Sequence, residues 1–231
     1  MKVVVLAAVT CAAAVAGVPP ALRGKDVESL PTRQRVVALT FDAGADSGHT
    51  RAILGTLRRD RVPATFFVTG AFARTYPRLT RVIARSYLLG NHSDTHPQLT
   101  RFSDSGVREQ IERAERSIDA VTGLRPSYLF RFPYGDSDAR TIAIANRLGY
   151  VCVRWTIDTL GWMTVSPATI QDRVLEGLRR GAIVLMHVAS FSTDSVALPA
   201  VIAAVRARGY RFVTVAALEP SHRRSARAWV S

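Results

Sequence analysis

Two histidines four positions apart, His92 and His96 in the run Asn91-His92-Ser93-Asp94-Thr95-His96-Pro97, are the residues of this chain best suited to do chemistry. Neutral imidazole is the commonest protein ligand for zinc, and two rings so spaced can turn toward one point and hold a divalent ion between them. A catalytic zinc site takes three protein ligands and leaves a position for water or substrate, so a third ligand is still to be found. The spacing alone is equally compatible with two loop or capping histidines, and the neighbours must decide. Four more residues carry acid–base or electrostatic capacity: Asp42, Arg131, Asp158 and His187. Taken singly, they could be a helix cap, a surface cation, a turn residue and a satisfied core histidine.

What sets them apart is where they fall. Seven apolar runs of strand length are predicted, at Val36 to Phe41, Ala64 to Val68, Tyr87 to Leu89, Leu129 to Phe132, Val151 to Ile157, Ala182 to His187 and Arg211 to Val215. Between them lie segments of helical periodicity: His49 to Arg59, a helix opened by Pro77, a long amphipathic one carrying Ile111, Ala114, Ile118 and Val121 and stopped at Gly123, then Ala139 to Leu148, Ser166 to Arg180 and Leu198 to Arg208. Strand alternating with helix argues for a parallel sheet in an α/β fold. Asp42, His92, Arg131, Asp158 and His187 each sit at or just past the carboxyl end of a different predicted strand. That is the rim where (β/α) barrels keep their catalytic groups, so a closed barrel in a single domain is favoured over an open sheet. No G-x-G-x-x-G or P-loop follows the first strand, as an open nucleotide-binding sheet would have.

Composition sets the outer bounds. With 231 residues and 48% of them hydrophobic, the chain can bury a full core. Met1-Lys2 and the apolar run to Val15, with Ala14-Val15-Ala16 as a small-residue cleavage pattern, predict a signal peptide over 1–16 and hence a secreted protein with no stable membrane span. The Pro- and Gly-bearing stretch 17–34 reads as a linker, 35–219 as the domain and 220–231 as a basic tail. A mature chain would keep only Cys152, which excludes an internal disulfide. The net charge of +13 suits an anionic partner such as a cell wall. Lysine occurs only at Lys2 and Lys25, the arginines are spread over many helix surfaces, and no RNA- or DNA-reading motif accompanies them, so no nucleic-acid partner is expected.

Thr40-Phe41-Asp42-Ala43-Gly44, His92 to His96, Arg131-Phe132-Pro133-Tyr134-Gly135, Asp158 to Trp162 and Leu185-Met186-His187 resemble, in order and spacing, the motifs of the polysaccharide deacetylase (NodB-like) family, carbohydrate esterase family 4. The resemblance runs from about Arg35 to Leu218. It implies a distorted seven-stranded (β/α) barrel and metal-dependent hydrolysis of acetyl groups on sugars, with a divalent metal, zinc first and cobalt or manganese as alternatives, on His92 and His96. By the same resemblance Asp42 is the general base, His187 the general acid, and Arg131 the partner that keeps Asp42 ionised. The Tyr134 backbone N–H would serve the oxyanion, and Trp162 and Leu185 would line the pocket for the acetyl methyl. The implied substrate is an N-acetylated cell-wall polysaccharide, most of all peptidoglycan, with chitooligosaccharide or acetylxylan as alternatives.

Two positions depart from the family pattern. Where relatives have a second aspartate as a metal ligand, this chain has Ala43, so the site must take Asp46 from the adjacent loop, let Asp42 touch the metal, fill the gap with water, or bind metal weakly, with Asp94 and His49 as lesser substitutes. Where many relatives place an aspartate before the tryptophan to tune the acid histidine, this chain has Gly161, and Asp158 is expected to take over that role. The rival reading is a sugar-binding module that has lost productive metal through Ala43. A serine hydrolase is disfavoured by the absence of a G-x-S-x-G elbow, and two-metal phosphodiester hydrolysis by the scarcity of carboxylates on the rim.

Overall fold

The computed structural model describes residues 18–44 and 46–218. The expected signal peptide and basic tail lie outside them. The described chain forms strands β1 (Asp26–Val27), β2 (Val36–Ala43), β3 (Thr65–Val68), β4 (Leu88–Asn91), β5 (Leu129–Phe130), β6 (Val151–Val153), β7 (Ile157–Asp158), β8 (Ala182–His187) and β9 (Arg211–Val213). Helices α1 (Thr50–Arg59), α2 (Gly70–Thr75), α3 (Pro77–Ser86), α4 (Asp104–Thr122), α5 (Ala139–Arg147), α6 (Pro167–Gly177) and α7 (Asp194–Ala207) fill the connections. Every strand pairing is parallel, in the order β1-β6-β5-β4-β3-β2-β8-β7, with β9 on β2. This is a curled, barrel-like α/β sheet with helices outside, as the strand–helix alternation requires.

Two apolar layers explain the curl. On β2, Val37, Leu39, Phe41 and Ala43 belong to the large cluster shared with the helices, whereas Ala38 belongs to an inner cluster with Phe67, Val151, Val153 and Ile183. Thr40 and Asp42 share the inner parity of Ala38, so the two-residue period of the strand aims Asp42 at the mouth of the barrel.

Side-chain oxygens start several helices: Thr69 accepts from Phe72 N–H, Ser103 from Gly106, Ser166 from Thr169, and Asp138 forms a capping box with Thr141. Gly123, at φ 69°, ends α4 in the left-handed conformation expected of it.

Two expectations need correction. Of the expected linker 17–34, the described residues 18–34 pack onto the domain: β1 pairs with β6, Ser29 bridges Ala182 of β8, Leu30 N–H donates to Gly181 O, and Val18 and Leu30 are buried. Residues 26–30 thus close the seam between β6 and β8. The run Val151 to Ile157 is also not one strand. The carbonyls of Val153 and Arg154 accept from the Arg131 guanidinium, and Arg154 N–H, just past β6, donates to Val27 O of β1, so β6 ends there and β7 begins separately on β8. One added strand and one divided strand turn the expected seven into nine.

Candidate active site

The carboxyl ends of β2, β4, β7 and β8 surround a cleft of about 510 Å³ whose walls include Asp42, His92, His96, Tyr134, Asp158, Trp162, Leu185 and His187. Of the ten residues singled out from the sequence, eight line this cleft. A ninth, Arg131, lies directly beneath it.

Arg131 is completely buried. Nη1 donates to Asp42 Oδ1 at 2.8 Å and to Thr40 Oγ1 at 2.9 Å, Nε to Val153 O at 3.1 Å, and Nη2 to Arg154 O at 3.0 Å, while its plane lies 4.1 Å over the Phe67 ring. A guanidinium so fixed is a rigid fork, which a lysine could not reproduce. Burial alone would raise the pKa of Asp42, but the charge of Arg131, helped by the facing imidazoles, outweighs it and holds the carboxyl below its usual range. Asp42 is therefore an ionised base at neutral pH.

The histidine pair is prepared differently. His92 Nδ1 lies 2.8 Å from the Arg131 carbonyl, which can only accept, so Nδ1 carries the proton and Nε2 presents a lone pair. Burial lowers the pKa of His92 and pushes that of His96 down to about 3, so both rings are neutral. Neutral His92 faces Asp42 Oδ2 at 3.3 Å lone pair to lone pair, an arrangement that asks for a positive charge nearby. The two rings lie 4.8 Å apart at 71°, and the Tyr134 ring packs edge-on against His96 at 4.6 Å. His96 and Tyr134 both hold left-handed backbone, at φ 62° and 60°. Such strain is concentrated where geometry serves a site. The donor chemistry thus fits a borderline cation at two positions.

The third position is not filled as expected. Asp46 accepts from Gly48 N–H at 2.7 Å and from Ser190 N–H and Oγ at 2.8 and 2.7 Å, which ties the loop after β2 to the loop after β8 and leaves its carboxylate away from the cleft. Asp94 is equally committed, buried between Arg74 and Arg113, and His49 Nε2 contacts Ser190 O. Among the described residues no three His, Cys, Asp or Glu side chains converge on one point. Ala43 itself is buried in the layer between sheet and helices.

His187 stands beside Asp42 across the β2–β8 pairing, yet in the opposite protonation regime. Burial pulls its pKa down, but Asp194, Asp42 and Asp158 together push it above the ordinary value. The nearest of these is Asp194, with Oδ2 3.8 Å from His187 Nδ1. Asp158 does line the cleft, but one of its oxygens accepts from Leu160 N–H at 2.8 Å, and its effect on His187 is the weaker. Among these carboxylates the strongest influence on His187 therefore comes from Asp194 rather than from Asp158. The sequence hid Asp194 because Pro199 marks a helix start near Leu198, whereas α7 begins four residues earlier and carries Pro199 inside its second turn. Phe191, exposed on the rim with Trp162, was also unread, since a lone loop aromatic has no period.

This arrangement has known counterparts. The polysaccharide deacetylase family profile matches residues 29–153, more than half of the chain. The chain belongs to the polysaccharide deacetylase family. It is 33% identical over 191 residues to the peptidoglycan-N-acetylglucosamine deacetylase of Bacillus cereus, covering 80% of this chain and 68% of that one. The crystal structure of the Bc1960 peptidoglycan N-acetylglucosamine deacetylase superposes with a TM-score of 0.79 at 31% identity, covering 84% of this chain and 92% of that one. A family 4 carbohydrate esterase from Bacillus anthracis, described as a pseudoenzyme, superposes at 0.76 with 29% identity, over 80% of this chain and 66% of that one. The family assignment and the barrel are as the motifs implied.

Proposed function

We propose that this polysaccharide deacetylase is a secreted, cell-wall-associated hydrolase that removes N-acetyl groups from the amino sugars of peptidoglycan. The observation that carries the reading is the pairing of opposites across β2 and β8, an ionised Asp42 beside a His187 whose proton affinity is raised, both facing one cleft. Amide hydrolysis needs such a pair: a base for the attacking water and an acid for the departing amine.

His92 and His96 would hold a divalent metal, with zinc suited to neutral imidazoles and cobalt or manganese as alternatives. Bound there, the metal would polarise the acetyl carbonyl and acidify the attacking water. Asp42, kept anionic by Arg131, accepts the proton of that water. His187 delivers its proton to the sugar nitrogen, so the amine leaves neutral. Tyr134 lines the same cleft with its ring against His96, which supports a role for its backbone N–H toward the carbonyl oxygen as negative charge develops. Leu185, buried, and Trp162, half exposed, give the acetyl methyl an apolar wall and the sugar an aromatic rim.

Peptidoglycan is favoured over chitooligosaccharide and acetylxylan by the B. cereus relative and by the +13 charge, which suits an anionic wall. Export is supported by the apolar leader over 1–16, and among the described residues no helix is long and apolar enough to cross a membrane. The test is acetate release from purified peptidoglycan, with and without chelator and with zinc, cobalt or manganese restored. Release that is abolished by chelator and restored by one of these ions is expected; release indifferent to chelator would defeat the metal assignment.

A second reading, a sugar-binding module with impaired catalysis, is favoured by the missing third ligand and by the likeness to a pseudoenzyme. It predicts glycan binding with no acetate release at any metal concentration.

A further inference from the structure

Asp194 lies outside the expected constellation and is completely buried in the first turn of α7. Its Oδ1 accepts from Thr159 Oγ1 at 2.7 Å, and its Oδ2 from the His187 backbone N–H and from Ser192 Oγ, both at 2.8 Å. Three neutral donors thus fix the carboxylate with no cation of the lysine or arginine type among them. Its remaining neighbour is His187 Nδ1 at 3.8 Å, a buried ring nitrogen that makes no hydrogen bond. At that distance the attraction is electrostatic, and a shift of about 1 Å would make a charge-assisted bond of ordinary length.

Room for this carboxylate comes from Gly161. A Cβ built there would fall 2.4 Å from Asp194 Cγ and Oδ1 and 2.5 Å from Oδ2, and Gly161 does not hold the left-handed backbone that would otherwise call for glycine. The missing side chain at 161 and the carboxylate from α7 occupy the same space.

We propose that Asp194 is the positioning residue of His187: entering the volume vacated at Gly161, its carboxylate faces the Nδ1–H, fixes the tautomer and turns Nε2 into the cleft. The inference rests on the reading of His187 as proton donor to the departing amine. Other charged and titratable groups face the same imidazole: Asp42 on β2, Asp158 on β7, whose carbonyl is held by Arg173 of α6, and the two imidazoles following β4. Among the carboxylates of the described residues, only that of Asp194 comes within 4 Å of a His187 ring nitrogen. The raised proton affinity of His187 is consistent with this placement.

The test is a ring-resonance titration of His187 in the full chain without added metal, the signal assigned with His187→Gln. Asp194→Asn keeps the shape and removes the charge; it is expected to weaken proton binding at His187 about tenfold or more, and Asp158→Asn to weaken it less. The alkaline limb of kcat should move down by the same factor, with KM little changed. Should Asp194→Asn fold poorly, Gly161→Asp combined with Asp194→Gly returns a carboxylate to the same space from the opposite side and is expected to restore the parent midpoint to within about threefold. A midpoint unmoved by Asp194→Asn, or one in the exchanged variant as low as with no carboxylate, overturns the proposal. Because the titration needs no turnover, a chain that releases no acetate would count against the catalytic reading while leaving this one decided.

Discussion

Replacing Arg131 with methionine removes the cation beneath Asp42 while keeping most of the aliphatic volume. In the native fold that guanidinium is fully buried and makes four hydrogen bonds, one of them the 2.8 Å ion pair with Asp42. Breaking a buried pair by removing one partner costs about 3–5 kcal/mol, because the other charge stays desolvated. The orphaned Val153 and Arg154 carbonyls each lose a bond worth about 1 kcal/mol net, partly regained through water. A loss of about 4–6 kcal/mol near neutral pH is therefore expected, a large share of the ~5–15 kcal/mol that holds a typical domain. The pH dependence follows from the sign of the Asp42 shift. In the native protein its pKa is lowered from 3.8, so its contribution is present above that value and lost as pH falls through the folded one. Without Arg131, burial dominates and the folded pKa rises above 3.8, so the variant loses stability as pH climbs through its own higher value. Over the window from neutral pH to about 4.5 the native contribution is unchanged, so the variant's own titration makes the gap widest at neutral pH and narrower toward about pH 4.5. Urea unfolding followed by circular dichroism at the two pH values, metal chelated throughout, measures it, and adding Asp42→Asn to Arg131→Met should recover part of the loss. A gap under about 1 kcal/mol, or one that does not change with pH, refutes the account of Arg131 as the counter-charge that makes Asp42 a base.

Other outcomes follow from the same geometry. Asp42→Asn should lower kcat by about 10²–10⁴-fold while leaving metal content unchanged, as measured by acetate release and elemental analysis. His96→Gln is expected to abolish zinc retention on a desalting column, whereas Asp46→Ala should leave zinc affinity within about twofold, since that carboxylate serves Ser190 and Gly48. Ala43→Asp puts a carboxyl into a fully buried apolar layer, so its Tm without metal should drop; if the side chain then reaches the histidine pair, the Tm should rise with zinc more steeply than in the parent. Equal zinc dependence in the two proteins would count against the missing ligand at 43 as the weak point.

Much of this arrangement could be read from the chain because β2, β4 and β8, which carry the site, are buried along their length and run into polar residues that a core would not tolerate. Asp42, His92 and His187 follow unbroken apolar runs, and the end of such a run locates a rim without knowledge of the pairing. Other parts depend on contacts between distant residues. Asp26–Val27 is a strand only because β6 offers it a partner, and its Pro- and Gly-rich surroundings signal a loop. The break between β6 and β7 comes from carbonyls captured by Arg131, a tertiary event with no local trace. α2 is six residues long, too short to display a period, though its cap Thr69 was there to be found. Asp46 was misjudged because nearness in sequence to the first motif says nothing about which way the loop faces.

Residues 26–30 bind partners at Cys152, Val153 and Ala182, so the earliest described strand cannot pair until the chain has been made to residue 153, and the residues after it cannot be seated until residue 182. Loop-closure entropy makes such distant pairings slow to form. Until then the arm has nothing to lie against, and once seated it acts as a clasp across β6 and β8. A form cleaved between Pro31 and Arg35 would keep every group of the cleft while losing that clasp, and its weakness would lie in how long the molecule lasts rather than in what it can do.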